Sequence, residues 1–204
     1  MRSVLTIWRV GMTSIQESIT TRRTSKQSLA TPVAKDLLID LLAQASAAPY
    51  HKKEPWLVKL VTTTEEKDFL YDRIIQFYEE SGVIHDEKSR EKLTAKMNRL
   101  IRNAPATLLF AHEVYPDKKR LTSDAALATA ALIQNFSLLL AEHDLVGFWA
   151  SSAFTLEPDF AKKIGLPDNY SLIANYRVGY RDPDAKVSTG KRRPPSEWIS
   201  DLRG

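Results

Sequence analysis

The 204-residue sequence contains no cysteine. Disulfides, cysteine-ligated zinc, iron–sulfur clusters and thiol nucleophiles are excluded with it, and a reducing, cytoplasmic location is the expectation. Glycine is scarce, with seven in the chain. No two stand close enough to form a G-x-G-x-x-G turn or a Walker loop, so neither a Rossmann dinucleotide site nor a P-loop is present. No stretch of 18 consecutive apolar residues occurs, and no membrane span is expected. Neither sign of charge dominates: 29 Lys and Arg stand against 25 Asp and Glu, a formal charge of +4. The histidines His51, His85, His112 and His143 form no H-E-x-x-H or comparable metal spacing. No serine lies in a G-x-S-x-G elbow, so a hydrolase triad has no support.

What is present is the make-up of an ordinary folded chain. Hydrophobic residues at 43% and charged residues at 26% argue against disorder, and the length suits one domain with its own core. The opening MRSVLTIWRVG lacks the long apolar core and small-residue cleavage site of a signal peptide. Residues 1–11 therefore read as an extension that the fold does not need, with Met12 as a natural initiator and 12–204 as a single domain.

Ile15 and Ile19, four apart, mark a short amphipathic helix ending in the Thr and Arg run. Val33, Leu37, Leu38, Leu41, Leu42 and Ala45 predict a helix over 33–47, with Pro32 at its start and Pro49 beyond its end. The β-branched and aromatic WLVKLVT predicts a strand over 56–63. A helix follows, capped by Thr63 or Thr64 and closed by Gly82. The next carries Leu93, Met97, Leu100 and Ile101 and is ended by Pro105. ATLLFAH has the look of a buried strand. Ser123 and Asp124 then open the most hydrophobic stretch, a central buried helix with Asp124 as its cap, ending at Leu145–Gly147. FWASSAF, a short helix in PDFAKKIG and a strand in YSLIANYRVGY follow, and a Pro- and charge-rich tail closes the chain. The layout is α+β without βαβ repeats.

The positive charge is local. Arg22, Arg23 and Lys26; Lys52 and Lys53; and Lys191, Arg192 and Arg193 each lie in a predicted loop. Forked Arg donors, Lys point charges and the hydroxyls of Thr24 and Ser25 suit a phosphate, although a solvated charge run fits the pattern equally. No RNA-binding motif, zinc finger or basic helix stripe accompanies them, so nucleic acid is not the expected partner.

Four segments in order along the chain carry a resemblance. RRTSK at Arg22–Lys26 is similar to the opening Arg-Arg-Ser loop of the FMN-dependent nitroreductases. APYHKKEPW at Ala48–Trp56 is similar to their Ala-Pro-Ser-x-x-Asn-x-Gln-Pro-Trp loop. The helix from Asp124, with Gln134 and Asn135, followed by DLVGFWASS, resembles their Gln-Asn helix and Leu-Gly turn; VGYRDP and KRRPPSEW resemble their Gly-Tyr-Pro and Lys-x-Arg-x-Pro ending. From Ile15 to Trp198 the sequence thus resembles that family, in its smaller single-domain branch.

The resemblance implies a nitroreductase-like fold: a central, mostly antiparallel sheet flanked by helices, in a homodimer with an extended C-terminal tail and FMN at the subunit interface. It implies an NAD(P)H oxidoreductase, with NADPH or NADH as electron donor, reducing nitroaromatic, quinone or other electron-poor small molecules by ping-pong hydride transfer through flavin N5. The flavin carries the chemistry, so no catalytic side chain and no metal are implied. Arg22, Arg23, Thr24 and Lys26 would meet the phosphate and ribityl end, and Lys191 and Arg193 would approach the same phosphate. Pro49, Tyr50, His51 and Glu54 would touch the flavin of the partner subunit, and Trp149, Ala150 and Ser151 would lie against the ring; for Trp149, core packing is the other reading. The Pro49–Trp56 loop is one residue shorter than the family form, lacks its Asn and has Glu54 for Gln. An acid there raises the cost of an anionic reduced flavin. A flavin carrier or sensor with little turnover, and an interaction protein whose basic loops bind another phosphate, are the alternatives.

Overall fold

The computed structural model describes residues 14–186 and 190–203. The expectation for residues 1–11 lies outside them. Strands β1 (Trp56–Val61), β2 (Ala106–Glu113), β3 (Leu145–Ala150) and β4 (Tyr170–Tyr180) form one sheet in the order β1-β2-β4-β3. Every neighbouring pair is antiparallel. Helices α1 (Ile15–Thr21), α2 (Lys35–Ala45), α3 (Thr64–Glu80), α4 (Glu87–Met97), α5 (Lys119–Leu139) and α6 (Pro158–Lys163) flank it, so the α+β expectation holds.

The sheet is covered on both faces. On one, Leu38 and Leu41 of α2 and Leu132, Ile133 and Phe136 of α5 bury against Leu108, Phe110, Ala174, Tyr176 and Val178. On the other, Leu70 and Ile74 of α3, Ile101, and Phe160 of α6 bury against Leu109, Ala111 and Leu172. Strand β2 therefore has no wet face: Ala106–Ala111 are all buried, which is why ATLLFAH reads as an unbroken apolar run. Lys119–His143 is long and apolar enough to cross a membrane by length and composition, but Ala125, Ala128, Thr129, Leu132, Ile133, Phe136 and Ser137 of α5 are buried in this core.

Several boundaries differ from the sequence reading. Helix α5 opens at Lys119, one turn and more before Asp124, and its N-cap Lys118 makes no side-chain cap bond. Asp124 is thus not the cap; it faces Arg120 at 3.8 Å within the helix. The helix stops at Leu139, and a 3₁₀ turn, Leu140–His143, leads to Asp144 at φ 53°, so Leu145–Gly147 begins β3 rather than ending a helix. Strand β1 ends at Val61 and α2 spans Lys35–Ala45, each shorter than expected. α4 passes into a π-turn, Asn98–Arg102, that carries Ile101 into the core. In α1 the apolar stripe faces outward: Ile15 is 76% and Ile19 55% exposed, while Ser18 is buried. The α3 start behaves as expected, with a reciprocal capping box between Thr63 and Glu66.

Candidate functional site

The loop after α1 is built into the sheet edge by three hydrogen bonds. Ser25 N–H donates to the Gly147 carbonyl (3.1 Å), Leu29 N–H to the Tyr180 carbonyl (2.9 Å), and Arg177 Nη1 to the Lys26 carbonyl (2.7 Å). Gly179 permits the close approach of the loop, and Gly147 that of β3 to β4. A Cβ at Gly179 would strike the Ser28 side chain, and one at Gly147 would strike the Arg177 carbonyl and the Tyr176 ring. The basic loop therefore lies against the strand that leads into Trp149, Ala150 and Ser151.

The loop divides two depressions. On one flank Arg22, Arg23, Ser25, Gly147, Tyr176 and Arg181 line a cleft of about 110 Å³, the size of a small group and not of a whole ligand. Tyr176 lies beneath it, its hydroxyl 2.8 Å from Ser137 Oγ. Burial holds the Tyr176 pKa above its ordinary value, against the Ser137 hydrogen bond and the nearby Arg22 charge. Arg23 Nη1 is turned back onto the Thr20 and Arg22 carbonyls at 2.7 and 2.9 Å. On the other flank Thr24, Ser25, Lys26, Gln27, Arg99, Leu100 and Lys186 line a groove of about 570 Å³, within the range of ligand sites.

The second predicted loop lies elsewhere in the chain. Pro49, Tyr50 and His51 line a depression with Arg120, Asp124, Leu127, Ala128 and Ala131 of α5, while Glu54 is exposed. The Tyr50 hydroxyl is buried without a hydrogen bond. Beside it Tyr115 donates to Glu113 Oε2 at 2.6 Å, a bond that raises the Tyr115 pKa well above the usual phenol range. Asn135, part of the Gln-Asn pair in α5, donates to the Ala45 carbonyl at 3.1 Å and ties α5 to the end of α2 above this loop. Trp149 is 39% exposed at the open edge of β3, opposite Tyr176, so it is not a core residue. Ala150 stands opposite Asn175, and Ser151 is exposed. Lys191 and Arg193 lie on a tail whose residues 190–203 are all exposed, and neither forms a hydrogen bond or ion pair among the described residues. The single chain thus brings together Arg22, Arg23, Thr24, Lys26 and the β3 end, and leaves the Pro49–Glu54 loop and the tail apart from them.

Three cationic residues escape the sequence reading: Arg99 and Lys186, which line the groove, and Arg177, which donates to the Lys26 carbonyl beside it. Arg99 and Lys186 look like ordinary surface charge. Arg177 carries a signal that is legible afterwards: it is an arginine inside the buried strand pattern YSLIANYRVGY.

The residues present fit a phosphorylated, polyhydroxylated ligand. Their chemistry is that of donors (Arg22, Arg23, Lys26, Arg99, Lys186 and the Thr24 and Ser25 hydroxyls), and two buried polar atoms next to the loop, Ser28 Oγ and Arg177 Nε, have no partner. Residues 19–180 match the family model described as the Nitroreductase family. The chain belongs to that family. A Bacillus subtilis (strain 168) protein provisionally named as the NAD(P)H nitroreductase YfhC is 29% identical over 189 residues, covering 92% of this chain and 94% of the relative. The solved structure of a nitroreductase-like family protein from Bacillus cereus superposes with a TM-score of 0.81 at 31% identity, covering 95% of this chain and 98% of that one. A Bacteroides fragilis nitroreductase with bound FMN superposes with a TM-score of 0.71 at 19% identity, covering 93% and 100%. These likenesses bear out the nitroreductase-like fold.

Proposed function

We propose that this chain is an FMN-dependent NAD(P)H oxidoreductase that reduces electron-poor small molecules such as nitroaromatics and quinones. One observation carries the reading: in a chain of this family, a donor-rich loop is stitched by Ser25 to Gly147, two residues before Trp149 on β3. When bound, FMN supplies the chemistry by accepting and passing on a hydride at N5.

The protein's part is to bind, orient and exclude water. Arg22, which lines the small cleft, pairs with the phosphate, with Arg23 beside it, and Thr24 and Lys26, which line the groove on the other flank, take the ribityl end; their donor chemistry supports these roles. Trp149, exposed at the sheet edge beside this loop, offers an apolar face for the ring, and the Ala150–Ser151 backbone offers N–H donors. Pro49, Tyr50, His51 and Glu54 reach the flavin of the second subunit in a homodimer, which accords with their separation from the Arg22 loop within one chain. Lys191 and Arg193 close on the phosphate from the tail. The exposed Ile15, Ile19, Leu127, Trp198 and Ile199 supply apolar surface for that dimer.

The test is direct. Purified protein should be yellow or take up added FMN, bleach anaerobically on addition of NADPH or NADH, and recover its colour with menadione or nitrofurazone. A colourless protein that takes up no FMN would sink the proposal. A yellow protein that neither nicotinamide reduces would leave a carrier or sensor, the reading to which Glu54 and the shortened loop lend support. Light scattering should give the mass of a dimer, and a monomer that still holds FMN would contradict the shared site.

A further inference from the structure

Arg177 is a half-buried arginine between the buried residues Tyr176 and Val178 of β4. It sits on β4, paired across the sheet with Thr107 of β2 on one side and Phe148 of β3 on the other. Paired residues share a face, and Thr107 is itself buried with its hydroxyl unpartnered. The guanidinium reaches out from beneath the loop to the Lys26 carbonyl, 2.7 Å away. Its Nε is buried and makes no hydrogen bond. Arginine keeps its proton in a protein, so the charge cannot be relieved by titration.

Among the described residues no carboxylate forms an ion pair with this charge. The ion pairs among the described residues engage Arg90, Arg102, Arg120, Lys162, Lys163, Arg181 and His85, and none engages Arg177, Arg99, Lys26 or Lys186. Burial and the neighbouring Arg99 both act against the charged form of Arg177 and lower its pKa. A half-buried guanidinium next to a second cation, with its Nε buried and no carboxylate paired to it, is unfavourable for the folded state. The groove above it, lined by Lys26, Arg99 and Lys186, is of ligand size and has no acidic residue in its wall.

On the reading that FMN binds here, we propose that Arg177 is a positioning residue with an electrostatic role: it anchors Lys26 through the backbone and adds positive charge beside the groove that favours the reduced cofactor. The charge balance is simple. A hydride brings one proton with two electrons, so its arrival leaves one more negative charge at the acceptor while the nicotinamide departs oxidised. Fixed cations at the groove stabilise that added charge, the more so where water is excluded. The chain thereby counters Glu54, whose carboxylate would act in the opposite sense from the partner subunit.

The experiment measures the midpoint potential of FMN bound to wild-type protein, Arg177→Met, Arg177→Lys and Arg99→Met, together with the affinity for oxidised FMN and the melting temperature. Arg177→Met should lose about tenfold more affinity for the reduced than for the oxidised cofactor, a fall of about 30 mV for a two-electron couple. Arg177→Lys, which keeps the charge, should restore most of it. Arg99→Met, at the exposed rim and harmless to the core, should lower the potential by a smaller amount and decides the matter if Arg177→Met does not fold. A purely structural arginine would change the melting temperature and FMN affinity without moving the potential. Unchanged potentials in the methionine variants overturn the proposal while leaving the FMN reading intact; failure of the wild type to bind FMN overturns that reading instead.

Discussion

Gly147 carries a constraint that no larger residue meets. A Cβ there would run into the Arg177 carbonyl and the Tyr176 ring across the β3–β4 pair. Gly147→Ala should cost about 1–3 kcal/mol through forced repacking, a drop of roughly 2–12 °C in melting temperature for a chain of this size. Gly190→Ala is the control, since nothing lies within 4 Å of the added carbon and no change is expected. Glu66 provides a pH-dependent case. Its carboxylate accepts from Thr62 N–H (2.7 Å), Thr63 N–H (3.0 Å) and the Thr62 hydroxyl (3.3 Å). Burial raises its pKa, but these bonds and Lys35 outweigh it, so the folded pKa lies below the usual 4.5. The contribution is therefore complete above pH ~4.5 and is lost as pH falls through the lower, folded value. Glu66→Ala should cost about 1 kcal/mol at pH 7, and its denaturation midpoint should approach that of the wild type as the carboxylate is protonated in acid. A gap that persists in acid would assign the effect to packing instead.

At the scale of elements, periodicity located most of the fold and misplaced its joints. The start of α3 was legible because a Thr-x-x-Glu box has a local physical cause, two backbone donors satisfied reciprocally. The start of α5 was not. Ser123 and Asp124 have the chemistry of caps, yet the helix gains a further turn from Lys119, tied to the preceding segment where the Thr122 hydroxyl accepts from Tyr115 N–H and donates to the Tyr115 carbonyl. Asp124→Ala should accordingly change stability by less than about 0.5 kcal/mol, the range of a surface substitution, where loss of an N-cap would cost about 1. Equilibrium unfolding distinguishes the two. The start of β3 had a signal that periodicity passed over: Glu142, His143 and Asp144 interrupt the apolar run, and the chain turns at Asp144 through a left-handed backbone, its carboxylate accepting from Arg181 Nε at 3.0 Å. The outward face of α1 was unreadable, since Ile15 and Ile19 have the spacing of a core stripe and the chain alone does not bury them.

At the scale of the whole molecule, the candidate site divides along what local sequence can show. The RRTSK loop and the β3 end were legible as motifs, and the fold sets them side by side through Ser25 and Gly147. Arg99 and Lys186 reach the groove, and Arg177 the Lys26 carbonyl beside it, from three distant parts of the chain, a convergence that only topology creates. The central claim is that this loop recognises the phosphate of FMN. It is tested most directly by titrating flavin-free protein with FMN and with riboflavin, which lacks the phosphate, and repeating both with Arg22→Ala. FMN should bind the wild type at least tenfold more tightly, about 1.4 kcal/mol or more for a charge-assisted contact, and Arg22→Ala should erase most of that difference while leaving riboflavin affinity unchanged. Equal affinity of the wild type for the two flavins would contradict the assignment.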